Sequence, residues 1–124
     1  MNVLLKDRIP CALSGNTGSA EVGTHSLQGI FFQAADLGLA DMDFISSRTE
    51  GFEILEQILE DYPPEKVAQI CHIRQEDLIQ AARMYAGARK APIIYCLGVT
   101  EHSTGTEGVM SLSNLAMMTG KLGR

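Results

Sequence analysis

The residues best suited to chemistry lie in one polar stretch, residues 98–106. Two glycines there would let backbone amides approach a ligand closely, and a following helix would offer unpaired N–H groups to an anion. Phosphate or pyrophosphate is the ligand that this pattern favours, and an ordinary polar turn is the alternative. Neither a Walker loop nor a GxGxxG motif is present. The polar side chains of the stretch are those of Thr100, Glu101, His102, Ser103, Thr104 and Thr106.

Other reactive side chains show no spacing typical of a metal site or a catalytic set. His102 could act as a ligand or an acid–base group, but no second histidine or cysteine lies at metal-binding spacing beside it. A hydrogen-bonded loop histidine is the simpler interpretation. We therefore predict no catalytic and no metal-ligating residue. The cysteines form no CxxC pair and are expected to be buried free thiols: Cys11, Cys71 and Cys96.

Helices are predicted on both sides of this stretch. Gly38 and Gly120 are expected to end two of them, because glycine enters the left-handed conformation without a steric penalty. Ser47 with Glu50 resembles a capping box for the second helix. Three glutamates, Glu53, Glu56 and Glu60, are predicted to face solvent. Apolar residues recur at helical spacing over residues 27–37, 51–62, 75–88 and 107–118, with a short helix after Pro63-Pro64.

Residues 91–97 differ from the rest of the chain. They form a short apolar run, rich in β-branched and aromatic residues, directly before the polar stretch. This pattern is typical of a strand covered on both faces. We therefore predict an α/β domain in which helices surround a short, mainly parallel, Rossmann-like sheet, with the ligand at its carboxyl edge. Residues 1–25 are predicted to be an irregular segment, and residues 26–124 to form the α/β domain.

Composition excludes several classes of function. The chain has 124 residues, of which 45% are hydrophobic and 20% charged, as in a globular domain. The formal net charge is −5 and no basic stripe is visible, which argues against nucleic-acid binding. No apolar run approaches the roughly 20 residues of a membrane-spanning helix. Since no export signal is recognisable either, we expect a cytoplasmic protein without membrane insertion.

Several longer stretches carry a resemblance. They include residues 48–52 (RTEGF), 81–86 (AARMYA), 98–102 (GVTEH) and 115–124 (LAMMTGKLGR). Over residues 27–124 the sequence resembles an internal stretch of the molybdopterin oxidoreductases, in particular the catalytic subunit of formate dehydrogenase. The resemblance implies an enzyme that holds molybdenum or tungsten between two pyranopterin guanine dinucleotides and converts formate to carbon dioxide. It also implies an iron–sulfur cluster outside this segment.

The resemblance assigns this chain a binding role. It implies that residues 26–124 belong to the guanine-dinucleotide-binding domain, with Leu97, Gly98 and Glu101 contacting one dinucleotide and Thr100 and His102 as further candidates. The partners would be the remainder of the catalytic subunit and electron-transfer subunits. The isolated chain would be inactive, because the metal ligand and the cluster cysteines of the family lie outside it.

Two departures from the family pattern concern single residues. The family often has glutamine where this chain has Glu101. A carboxylate is electrostatically unfavourable beside a polyanionic cofactor unless it accepts a hydrogen bond from the guanine or an amide. The family also has a glycine-containing turn where this chain has His72, and we expect this difference to be structural.

Two other functions remain open at the level of sequence. The order of helix, strand and loop also resembles the central domain of thiamine-diphosphate enzymes, which would predict retention of FAD or ADP. A non-catalytic, truncated subunit that only packs against partners would instead expose an apolar patch.

Overall fold

The computed structural model describes residue 29 and residues 34–101 and 103–123, and these residues are organised as helices joined by short turns. Residue 29 and residues 34–36 are helical as well. We number the complete helices in chain order: α1 (Met42–Arg48), α2 (Phe52–Leu59), α3 (Pro64–Cys71), α4 (Gln75–Gly87), α5 (Leu97–Thr100) and α6 (Gly105–Met118). The predicted irregular segment, residues 1–25, lies outside the described residues.

The predicted Rossmann-like α/β fold with a parallel sheet is wrong for the described part of the chain. Residues 91–96 form neither helix nor strand, and none of the described segments is a strand. The physical reason is that a strand needs a neighbouring strand to bond its N–H and C=O groups, whereas the other described elements are helices. Ile93 packs against the core, but Ile94 and Tyr95 are exposed, so this run is not covered on both faces.

Local capping determines where the helices begin. Asp41 caps α1, a helix that the periodicity did not predict, and its Oδ1 accepts a hydrogen bond from the Phe44 N–H at 2.9 Å. The predicted capping box is wrong, because Ser47 lies inside α1 and donates to the Asp43 carbonyl at 2.6 Å. Gly51, in the left-handed conformation, precedes α2 instead.

Three helix ends use a left-handed residue. At the end of α6, the N–H of Gly120 donates to the Met117 carbonyl and that of Lys121 to the Ala116 carbonyl, the bond pair of a Schellman motif. Gly38 and Gly120 have φ values of 65° and 63°, which confirms both as helix stops. His72 has φ 53° at the end of α3, the sole positive φ of a described non-glycine residue. This backbone conformation is one that favours glycine.

The core lies between α4, α6 and the shorter helices. Leu78, Val67 and Met118 are its largest fully buried side chains. The predicted inward face of α4 is confirmed, since each of its four residues is buried: Leu78, Ala81, Ala82 and Tyr85. Contacts join α3 to α4, α5 to α6 and α1 to α6. Glu53, Glu56 and Glu60 are exposed, as predicted.

No helix among the described residues is both long and apolar enough to cross a membrane.

Candidate functional site

The candidate binding residues lie on a short exposed helix and the residue that ends it. Leu97, Gly98 and Thr100 belong to α5, and Glu101 follows directly. The N–H of Glu101 donates to the Leu97 carbonyl at 3.0 Å, which closes the turn. All four residues are exposed, and the Leu97 side chain is 58% exposed. The structure therefore places these predicted contacts together on one accessible turn. His102, the fifth predicted residue, lies outside the described residues.

Gly105 allows this turn to lie close to α6. It is buried at the first position of α6, and a Cβ at this position would collide with the Thr100 carbonyl oxygen and lie 2.8 Å from the carbonyl carbon. Real side chains do not tolerate such a contact, so only glycine allows α6 to begin this close to α5. Val99 adds an apolar contact, because its side chain packs against the core. The turn is thus exposed on one side and fixed on the other.

The charge beside the turn is negative. Glu101 and Glu107 are both exposed, and Glu107 lies in the first turn of α6. Among the described residues, the Glu101 carboxylate has no hydrogen-bond or ion-pair partner. The Thr104 side chain makes no capping hydrogen bond to α6, and of the first three residues of this helix Gly105 is buried whereas Thr106 and Glu107 are exposed. The surroundings therefore offer backbone donors for an anion and one free carboxylate for a hydrogen-bond donor.

Lys121 connects the segment that leads to this turn with the rest of the fold. Its Nζ donates to the Ala88 carbonyl at 2.6 Å and to the Ala86 carbonyl at 3.1 Å. It also lies 5.9 Å from the centre of the Tyr85 ring. Burial raises the pKa of the Tyr85 hydroxyl, and the neighbouring Thr119 hydroxyl partly opposes that shift. Lys121 thus supplies a cation at the end of α4, whose own last turn contains no basic residue.

Sequence reasoning missed the role of Lys121. Arg89 and Lys90 directly follow α4 and match its dipole by position, but the lysine that bonds its last carbonyls comes from more than thirty residues further along the chain. No local pattern identifies such a partner. Cys96 was expected to be buried and is exposed, whereas Cys71 is buried as expected. Within the described ranges, no three His, Cys, Asp or Glu side chains form a group that could hold a metal ion.

A concave feature lies apart from this turn. A shallow pocket adjoins residues 49–52, part of the RTEGF stretch that carries the resemblance, and its floor includes Phe52, Met117 and Met118. None of the predicted binding residues lines it. The pocket therefore belongs to the junction of α1, α2 and α6 and not to the candidate site.

Comparison with solved structures supports the fold. Acetylene hydratase from Pelobacter acetylenicus matches 82% of this chain with a TM-score of 0.79, at 22% sequence identity, over 14% of its own length. At this identity, the likeness concerns the fold alone. No protein-family model matches the sequence.

Comparison with the sequences of known proteins identifies relatives at higher sequence identity. It is 49% identical over 87 residues to the alpha subunit of F420-dependent formate dehydrogenase 2 from Methanococcus maripaludis, and this match covers 70% of the chain. It is 49% identical over 86 residues, or 69% of the chain, to formate dehydrogenase H from Escherichia coli. The matches span 12–13% of the length of these relatives. These matches confirm the predicted resemblance to the molybdopterin oxidoreductases, and in particular to formate dehydrogenase subunits, of which the chain corresponds to a small part.

Proposed function

We propose that this chain is part of a molybdopterin-dependent oxidoreductase of the formate dehydrogenase type, and that it helps to bind a guanine dinucleotide and takes no part in bond breaking. The observation that carries the proposal is the accessible turn formed by Leu97, Gly98, Thr100 and Glu101, in a chain that is 49% identical to formate dehydrogenase subunits over 69–70% of its length. The substrate proposed for the complete enzyme is formate, oxidised to carbon dioxide. The isolated chain is proposed to be inactive.

The residues of the turn fit a dinucleotide. Gly98 has no side chain to hold a ligand away from the backbone, and Leu97 offers an exposed apolar surface for a flat ring. The Glu101 carboxylate can accept hydrogen bonds from the N–H groups of guanine, while a phosphate group would face the free N–H groups at the start of α6. This division keeps the negative carboxylate on the base and away from the phosphates. His102 stays a predicted contact.

The metal and its pterin ligands supply the redox chemistry when the cofactor is bound. This chain supplies a surface that orients one end of the cofactor. One side of the turn is attached to the fold, because Val99 packs against the core and Gly105 lets α6 approach Thr100. The other side is exposed, and we place the ligand there. Whether molybdenum or tungsten is used depends on residues around the metal, and we assign none of the described residues to it.

The partners that we propose are the remainder of the catalytic subunit and electron-transfer subunits. Large apolar side chains are exposed directly before α5, where Ile94 is 54% and Tyr95 43% exposed. Met110 on α6 is 53% exposed. Exposed large apolar side chains are typical of a face that another segment covers. The matched relatives are roughly eight times longer than the region they share with this chain, and the additional length is the occupant that we propose.

The test replaces Gly98 by valine in the complete subunit. The branched side chain would hold the dinucleotide away from the backbone, and a loss of about 1.4 kcal/mol or more in binding lowers affinity at least tenfold. We expect bound guanine nucleotide, released by acid and quantified by chromatography, to fall together with molybdenum or tungsten measured by mass spectrometry.

The control is Gln57→Val, which places the same side chain at an exposed position of α2, outside the turn and outside the segment that leads to it. It should leave both quantities unchanged. Normal nucleotide and metal content in Gly98→Val would remove this turn from the binding site. Retention of FAD or ADP by the purified protein would instead favour a thiamine-diphosphate-type module.

A further inference from the structure

Lys121 makes hydrogen bonds at the ends of two helices, α6 and α4. Its backbone N–H closes the end of α6 by donating to the Ala116 carbonyl at 2.8 Å. Its side chain reaches the end of α4 and donates to the carbonyls of Ala86 and Ala88. One residue therefore joins the carboxyl ends of two helices through both its backbone and its side chain.

The end of α4 needs such a donor. The last carbonyls of a helix have no partners within it, and α4 ends at Ala88 in an extended conformation without a glycine motif. The Ala88 N–H donates to the Tyr85 carbonyl at 3.3 Å, which satisfies one acceptor. A charged donor at 2.6 Å and 3.1 Å from two further carbonyls satisfies others, and hydrogen bonds to charged groups are the stronger ones.

The position matters because the segment that carries the candidate turn leaves α4 at this point. Residues 89–95 have no helix or strand hydrogen bonds to define their course, and the Cys96 carbonyl accepts one from the Val99 N–H at 2.9 Å. Their described anchors are the two carbonyls held by Lys121 at one end and the side chains of Ala91, Ile93 and Val99 packed on the core. Releasing the first anchor would free the start of the segment.

We infer that Lys121 is a positioning residue for the dinucleotide-binding turn: by holding the carbonyls of Ala86 and Ala88 it fixes the path of residues 89–96 and thus the place of residues 97–101. The link to the dinucleotide rests on the function proposed above. The link between Lys121 and the turn does not, and it can be tested on the chain itself.

The chain offers a closely matched control in Lys66. Lys66 Nζ donates to the Asp61 carbonyl at 2.8 Å and lies 5.6 Å from the centre of the Tyr62 ring. It therefore has the same kind of surroundings as Lys121, a backbone carbonyl and a tyrosine ring, but lies at the junction of α2 and α3. A general effect of removing a lysine would appear in both variants, and a positioning effect in Lys121→Met alone.

The experiment is hydrogen–deuterium exchange, read by mass spectrometry, on the full chain and three variants. In Lys121→Met we expect the hydrogen-bonded amides of Ala88, Val99 and Glu101 to exchange at least about tenfold faster, while α1 and α2 keep their rates. Lys121→Arg should restore slow exchange, because a guanidinium can also donate to two carbonyls. Lys66→Met should affect only residues around 60–67. Unchanged exchange at 97–101 in Lys121→Met, or equal acceleration there in Lys66→Met, would overturn the inference.

A second measurement separates this inference from the proposed function. In the complete subunit, Lys121→Met should lower bound guanine nucleotide and Lys121→Arg should restore it. Faster exchange at residues 97–101 with normal nucleotide content would leave Lys121 as a positioning residue and refute the binding role of the turn. If Lys121→Met lowers the helical circular dichroism signal, Lys121→Leu, which likewise has no donor, is measured in its place, and normal exchange at 97–101 in that variant would equally overturn the inference.

Discussion

Gly120→Ala tests how tightly the end of α6 is joined to the start of α1. Gly120 has φ 63°, and a Cβ there would collide with Oδ2 of Asp41 and lie 2.8 Å from its Cγ. Asp41 caps α1, and its own N–H donates to the Met118 carbonyl at 2.8 Å. The added methyl group therefore acts on the left-handed turn and, through contact, on the cap of another helix.

The expected cost has two parts. The left-handed conformation costs an alanine about 1–2 kcal/mol. Displacing the Asp41 side chain removes an N-cap hydrogen bond, which costs about 1 kcal/mol. We therefore expect the free energy of unfolding to fall by about 2–3 kcal/mol in total. This is a large part of the roughly 5–15 kcal/mol of a typical domain but leaves the chain folded.

Gly38→Ala measures the cost of the left-handed conformation alone. Gly38 has nearly the same φ, 65°, but a Cβ there would meet no atom within 4 Å. Urea unfolding of both variants, followed by circular dichroism, should place the Gly120→Ala midpoint well below that of Gly38→Ala. Equal midpoints would refute the reasoning, because they would show that the Asp41 contact carries no energy. In an Asp41→Ala background, the difference between the two glycine variants should shrink.

Two further predictions concern α3 and α4. His72→Gly should raise the free energy of unfolding by about 0.5–1 kcal/mol, because glycine relieves the left-handed strain of an exposed residue at the end of α3. Urea unfolding measures this change. A lower free energy of unfolding would show that the His72 side chain makes a favourable contact. The Arg74 guanidinium, which donates to Asp77 Oδ1 at 2.6 Å and to Oδ2 at 3.0 Å, lowers the pKa of that carboxyl. Because the folded-state pKa is the lower one, this pair stabilises the fold above the ordinary value of 3.8 and its contribution is lost as the pH falls through the lowered pKa. Asp77→Asn should remove that part of the acid dependence of the unfolding midpoint, and an unchanged dependence would contradict the assignment.

Local sequence determined the helices and much of the core. The inward faces of α4 and α6 follow from apolar spacing alone, because the helical period places Leu78, Ala82 and Tyr85 on one side wherever the helix is packed. The helix stop at Gly38 follows from backbone sterics within a few residues. The polar stretch at residues 98–106 was identified from sequence as a connection between an apolar run and a helix, but its first residues belong to the short helix α5 and not to a loop.

Tertiary structure decided what depends on distant partners. The apolar run at residues 91–97 has the composition of a strand, but strand formation requires a second segment for its backbone, and the described residues provide none. For the same reason Cys96 is exposed although its neighbours are apolar. Close packing leaves no room for a side chain at Gly105 or Gly120. Lys121 bonds the carbonyls of Ala86 and Ala88. Local sequence patterns relate neither set of residues. Periodicity and capping act over a few residues, whereas these contacts form only when whole helices pack together.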